Sequence, residues 1–433
     1  MHSLNLLTFP LLDRIQRFFN GPHPHVEKHQ VSFTLMNPVM SPKASPVVQR
    51  RTSSPLNPPK HIPNEIVLKI LEAAYDPQDL ESTHHVLMNS ALVCRDWSIL
   101  AQKLLFHHVT LRSQASLHSL SDALSPSTPR GRMLADAVIR FSVILDHNQP
   151  NGVPSLSFAS LFGRCSRVQE LDVSLFGRGA PGNDVVGSPT QARMQRNAPS
   201  FDDEVLSMLR AGPSITRLRF SNWTDNSSTL SQLLHLWPTL RSLEIRGTAL
   251  PTIPPLASTP FPCALSELRL NCQRAPSFEF LKWLLLNSRG SLRRVYADRQ
   301  SCSDVLARVV REHNDSVESI SMPTCQTREA AFSLMQCQGL RHLHMEDARV
   351  TMVLCKTLPT SLQHVSLGLH RETEMKPLLH LISESAGLAS ITLHLWKGGE
   401  SHGKLDAVHA ACALRGVQLN IVNDIREFRA SAY

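Results

Sequence analysis

A six-residue pattern, L-x-x-L-x-L, returns along most of this 433-residue chain and constrains its fold more than any other feature. It reads VQELDV at 168–173, ITRLRF at 215–220, LRSLEI at 240–245, LSELRL at 265–270 and LRRVYA at 292–297. It continues as VESISM at 317–322, LRHLHM at 340–345, LQHVSL at 362–367 and LASITL at 388–393. Weaker copies stand at 106–111 (FHHVTL), 138–143 (VIRFSV) and 417–422 (VQLNIV). Measured at the fourth position from Leu218 onward, successive copies are 25, 25, 27, 25, 23, 22 and 26 residues apart. Internal periods of about 20–29 residues mark leucine-rich repeats, each a short strand plus a returning helix. The step from Leu171 to Leu218 is 47, which fits either one repeat with a long loop or two repeats with one blurred.

Strand–helix alternation also suits a doubly wound α/β sheet, whose strands are covered on both faces and read as unbroken apolar runs. Here Asp172, Arg219, Glu244, Arg269, Ser321, His344 and Ser366 stand between apolar neighbours, so one face of the strands is polar. That favours an α/β leucine-rich-repeat solenoid, a horseshoe with parallel strands on its concave face. Helical patterns such as DDEVLSMLRAG and KPLLHLISESAG lie between the strands, and several end in Gly where a helix C-cap favours it. The Asn or Cys that closes the turn after the strand is expected only at Cys325, with Thr248 as a substitute.

The net charge of +8 raises the question of nucleic acid, but residues 1–60 carry +5 of it. The rest of the chain shows no basic stripe, and only three tyrosines are available for stacking, so no nucleic-acid partner is expected. Residues 1–60 include SPKASP and TSSPLNPP and are expected to be a disordered tail, with Ser41, Ser45 and Ser54 each before proline. Its first twenty residues lack a secretory leader pattern; Leu11, Leu12, Ile15, Phe18 and Phe19 share one helical face, and a locally ordered tail is favoured over a membrane address. Loops are expected at 125–132 and 176–200. No apolar run approaches the roughly 20 residues of a bilayer span. Nine scattered cysteines with no C-x-x-C point to reduced thiols in cytoplasm or nucleus.

Between tail and repeats lie HIPNEIVLKILEAAYDP (61–77) and SALVCRDWSILAQKLLF (90–106). Pro63 and Glu65 suit the first turn of a helix, and Ile66, Ile70, Leu71 and Ala74 form its apolar face. Further helices are expected over 84–91 and 93–106. This block resembles an F-box: Ile62-Pro63-Asn64-Glu65-Ile66 matches the opening Leu-Pro-x-Glu-Ile. Leu92-Val93-Cys94-Arg95-Asp96-Trp97 matches the closing Leu-Val-Cys-Arg-x-Trp without change. The resemblance implies that Pro63, Glu65, Ile66, Ile70, Leu71, Leu92, Val93, Cys94 and Trp97 contact a Skp-family adaptor bound to a cullin scaffold. It further implies substrate recruitment for ubiquitination. Three short helices bury their own apolar faces poorly, which independently favours an outside partner, although these helices also suit the edge of the first repeat.

The expected organisation is a tail at 1–60, an F-box at 61–106, a solenoid at 107–425 and a C-terminal tail at 426–433. A target protein is expected on the concave wall at Arg219, Glu244, Arg269, Tyr296, Ser321 and His344, with a mixed-charge face favoured over a phosphate clamp. Gly398–Lys404 (GGESHGK) reproduces G-x-x-x-x-G-K, but Leu405 replaces the Ser or Thr that would hold magnesium, so a glycine-rich turn is favoured over a nucleotide site. Histidine pairs such as His84-His85 lack ligand spacing. No catalytic residue, metal or cofactor is expected. The alternatives are a repeat scaffold without ligase function and, less favoured, an enzyme using Lys404.

Overall fold

The structure is a computed structural model and describes residues 62–76, 79–178, 196–248, 261–325, 327–347 and 358–431. The tail expected at 1–60, its proline-directed serines and most of the 176–200 loop lie outside the described residues. The chain divides into two compact units between Phe106 and His107.

The first unit holds helices α1 (Asn64–Ala73), α2 (Leu80–Ser90) and α3 (Arg95–Leu105), with α1 and α2 both packed on α3. Pro63 precedes α1 with φ −54°, already close to the helical value, and Glu65 lies in the positive first turn. Helix α2 begins four residues before the start that the sequence suggests, because the Asp79 side chain accepts the Ser82 amide at 3.2 Å and caps an earlier turn. Thr83 then fixes the preceding loop: its hydroxyl accepts from the Asp76 amide at 2.9 Å and donates to the Asp76 carbonyl at 3.1 Å. Val67, Leu71, Leu87, Ala101, Leu104 and Leu105 are buried.

In the second unit all twelve copies of the sequence pattern are strands of one sheet, in the order β1 to β12. The strands are β1 (His108–Leu111), β2 (Arg140–Asp146), β3 (Glu170–Phe176), β4 (Arg217–Trp223), β5 (Ser242–Gly247) and β6 (Glu267–Cys272). They continue as β7 (Arg294–Ala297), β8 (Ser319–Thr324), β9 (His342–Asp347), β10 (His364–Leu369), β11 (Ser390–Leu395) and β12 (Gln418–Val422). Among the described residues every strand pairing is parallel, and the order never reverses as a doubly wound sheet's must.

Leu171 pairs directly with Leu218 across β3 and β4, so the 47-residue step holds one repeat and a long insertion. The ladder continues through Leu243, Leu268, Val295, Ile320, Leu343, Val365, Ile391 and Leu419. Nearly all of these aliphatic side chains are buried. Helices return between strands behind side-chain caps: Asp202 accepts the Val205 amide at 2.8 Å, Ser277 the Phe280 amide at 3.2 Å and Thr327 the Ala330 amide at 3.2 Å.

Several expectations change. Gly212 closes its helix in an extended conformation; left-handed caps occur instead at Gly416, with φ 69°, and past a short 3-10 turn at Gly290, with φ 81°. Asparagines close turns after strands: the buried Asn148 donates to the Gly177 carbonyl at 3.0 Å, and Asn222 accepts from the Thr224 amide and hydroxyl. Residues 426–433, expected as a tail, include most of a helix, Ile425–Ala430, in which Phe428 is fully buried. Among the described residues no helix is long and apolar enough to cross a membrane.

Candidate functional site

In α1, Ile66 and Ile70 are four residues apart and share one face, while Val67 and Leu71 share a second face about a quarter-turn away. The second face is buried, with Leu71 only 2% exposed; the first is open, with Ile66 and Ile70 both 49% exposed. Leu71 is therefore a core residue of this unit and is corrected as an adaptor contact, because its face of the helix is already covered. Ile62, just before the helix starts, is exposed as well.

A second apolar patch stands in the turn between α2 and α3, where Leu92 is 56% and Val93 63% exposed. Trp97 in the first turn of α3 is half-buried, and Pro63, Glu65 and Cys94 are exposed. Val86 and Ile99 add apolar surface that the sequence reading did not assign to the site. Fully burying such a side chain is worth about 1.5–3 kcal/mol, so covering these half-exposed groups would gain roughly 1 kcal/mol each. Five or more of them within one small unit make an uncovered apolar surface of the kind that marks protein contact.

On the sheet, side chains alternate between faces. The leucines face the returning helices; the polar positions face away from them, and parallel register sets equivalent residues side by side. The result is two ladders of alternating charge. One runs through Arg140, Glu170, Arg217, Glu267 and Arg294, with ion pairs of 2.9 to 3.8 Å. The other runs through Asp172, Arg219, Glu244, Arg269 and Asp298, where Arg219 Nε meets Glu244 at 2.7 Å and Arg269 meets Asp298 at 2.9 Å. Arg246 also pairs with Glu244. Burial alone would raise the Glu244 pKa, but Arg246, Arg219 and Arg269 outweigh it and hold it below the usual glutamate value.

This packing corrects the expected target-binding set. Glu244, Tyr296, Ser321 and His344 are each at most 6% exposed, because neighbouring strands about 4.8 Å apart press equivalent side chains together. Arg219 and Arg269 remain partly accessible but are committed to carboxylates, which supports the mixed-charge face over a phosphate clamp. His344 is covered by the helix Ile425–Ala430, whose Phe428 ring lies 4.3 Å from its own.

The Gly398–Lys404 segment is a turn. Gly398 takes φ +89°, and Lys404 occupies the N-cap position of the helix Leu405–Arg415. The Lys404 amide meets His402 Nδ1 at 3.2 Å, and His402 Nε2 meets the Thr373 carbonyl oxygen at 2.8 Å, tying the turn to the preceding repeat. Among the described residues no group of three or more His, Cys, Asp or Glu side chains is placed to hold a metal ion.

Residues 60–112 match the family model described as F-box-like, and this part of the chain is an F-box-like domain. No curated protein matches the chain. Among solved structures the chain is similar to one described as the crystal structure of the Rad7 and Elc1 complex in yeast. That likeness has a TM-score of 0.38 and 12% identity, covering 84% of this chain and 89% of the other.

Proposed function

We propose that this protein recruits substrates to a cullin-type ubiquitin ligase. Its F-box-like domain holds a Skp-family adaptor, and its repeat sheet, read as a leucine-rich-repeat horseshoe, holds a target protein for ubiquitination and degradation. The observation that carries the reading is the coincidence of the F-box-like match at 60–112 with side chains left open within it: Ile66, Ile70, Leu92 and Val93. The adaptor contacts are these four with Ile62, Pro63, Glu65, Cys94 and the accessible part of Trp97. The chain contributes proximity rather than chemistry: holding target and ubiquitin-carrying enzyme in one assembly raises their effective concentration. It needs no catalytic group, metal or cofactor of its own, and it works in cytoplasm or nucleus.

Co-purification with a Skp-family adaptor tests this. Wild type retains the adaptor, and Ile66→Asp with Ile70→Asp abolishes retention while helix content is unchanged, since both side chains point away from the buried face. Leu71→Asp is unsuitable because it unfolds the unit. A folded wild-type chain that never retains the adaptor removes the ligase reading and leaves a repeat scaffold.

A further inference from the structure

The polar face of the sheet is partly occupied by the chain's own C-terminus. Phe428, with no exposed surface, lies between His344 of β9 at 4.3 Å and His394 of β11 at 5.2 Å, ring centroid to centroid. Beside it Arg429 reaches back 83 residues and grips Glu346 of β9 with two bonds, 2.6 and 2.7 Å. The floor of this slot is built deliberately. The Trp396 indole nitrogen crosses β10 to donate to the Glu346 carbonyl at 2.9 Å. It passes Gly368, where a Cβ atom would stand 2.6 Å from that nitrogen. The His394 ring is set edge-on to the indole at 4.8 Å and held by the Val422 carbonyl at 3.1 Å.

Two features mark Phe428 as a replaceable occupant. A helix of six residues does not sustain itself in water, so it stays only while its aromatic anchor is seated. His344 is 5% exposed and neither ring nitrogen finds a hydrogen-bond partner under the present cover, a cost left uncompensated. A shallow groove of about 560 Å³ continues beside the helix past Trp396, Lys397 and Asp424, giving an incoming chain room to start.

We propose that the slot formed by His344, His394 and Glu346 is a recognition site for a protein segment presenting an aromatic residue followed by a basic one. In the free chain it is held shut by Phe428 and Arg429 acting as an internal copy of that ligand. This deepens the target-binding half of the proposed function and is independent of the adaptor half. Aromatic stacking on the two imidazoles supplies the anchor, and the bidentate carboxylate pair reads the basic neighbour.

The test uses full-length chains and a labelled synthetic peptide, IREFRASAY, the sequence of residues 425–433. Wild type binds it weakly because its own copy competes. Phe428→Ala empties the slot, and the peptide then binds at least tenfold more tightly; the same peptide with alanine for phenylalanine does not bind. Arg429→Glu, a change at a half-exposed position, gives the same gain should Phe428→Ala fail to fold. Folded variants that gain no peptide affinity, or equal binding of both peptides, overturn the proposal. Adaptor retention by the same preparations is read separately, so failure of either half is seen on its own.

Discussion

His344 carries an imidazole that burial, with a smaller contribution from the Arg429 guanidinium, pushes down to about 4 from an ordinary value near 6.5. Arg429, Glu346 and His394 are charged or titratable neighbours around the seated Phe428. The docked helix requires the neutral ring, and the undocked state lets it take up a proton. Docking is therefore undiminished above pH 6.5 and weakens as pH falls from there toward 4, by at most about tenfold per unit. Hydrogen-exchange protection factors for residues 425–430 should drop markedly between pH 7 and pH 5; identical values would contradict the assignment. A second contrast at this scale is Leu71 against Ile70. Leu71→Ala opens a cavity and should cost roughly 2–4 kcal/mol in chemical denaturation, whereas Ile70→Ala should stay within about 1 kcal/mol.

Among the elements, the charged ladders explain why the sheet tolerates so many ionised side chains on one face. Glu244 receives three arginines, so Glu244→Ala leaves three cations facing one another. Because those arginines are 20–38% exposed, solvent screens part of the loss, and a destabilisation of roughly 1–3 kcal/mol is expected, shrinking in high salt. At Gly368 a Cβ would stand 1.9 Å from the Glu346 carbonyl oxygen. Gly368→Ala must part β9 from β10, and a thermal scan should show the melting temperature lowered by roughly 3–8 °C.

The elements themselves were legible because alternation within a strand and the spacing between strands are local properties of the sequence; even the weak copies at 106–111, 138–143 and 417–422 became strands. What the pattern could not reveal was which polar positions are buried. That depends on partners about 25 residues away brought into register, as Arg219 is to Glu244, and on a segment 84 residues downstream that places Phe428 over His344. The burial of Leu71 is hidden in the sequence for a related reason: Ile70 and Leu71 are equally apolar, and only the packing of α1 on α3 decides which is covered.

Across the whole molecule, two separate units carry two unlike surfaces. One is a small helical unit with a set of apolar side chains open to water; the other is a long sheet whose polar face is knitted into itself. The proposed division of labour follows from that contrast. An open apolar surface gains free energy from any complementary groove, while a pre-paired polar face admits a partner only where something can be displaced. Calorimetric titration of the full-length chain with a Skp-family adaptor is the most direct measurement. It should show saturable binding with a negative heat-capacity change, the signature of buried apolar surface, and the Ile66→Asp, Ile70→Asp variant should show none. A folded wild-type chain that gives no heat, or binding left intact in that variant, would contradict the account.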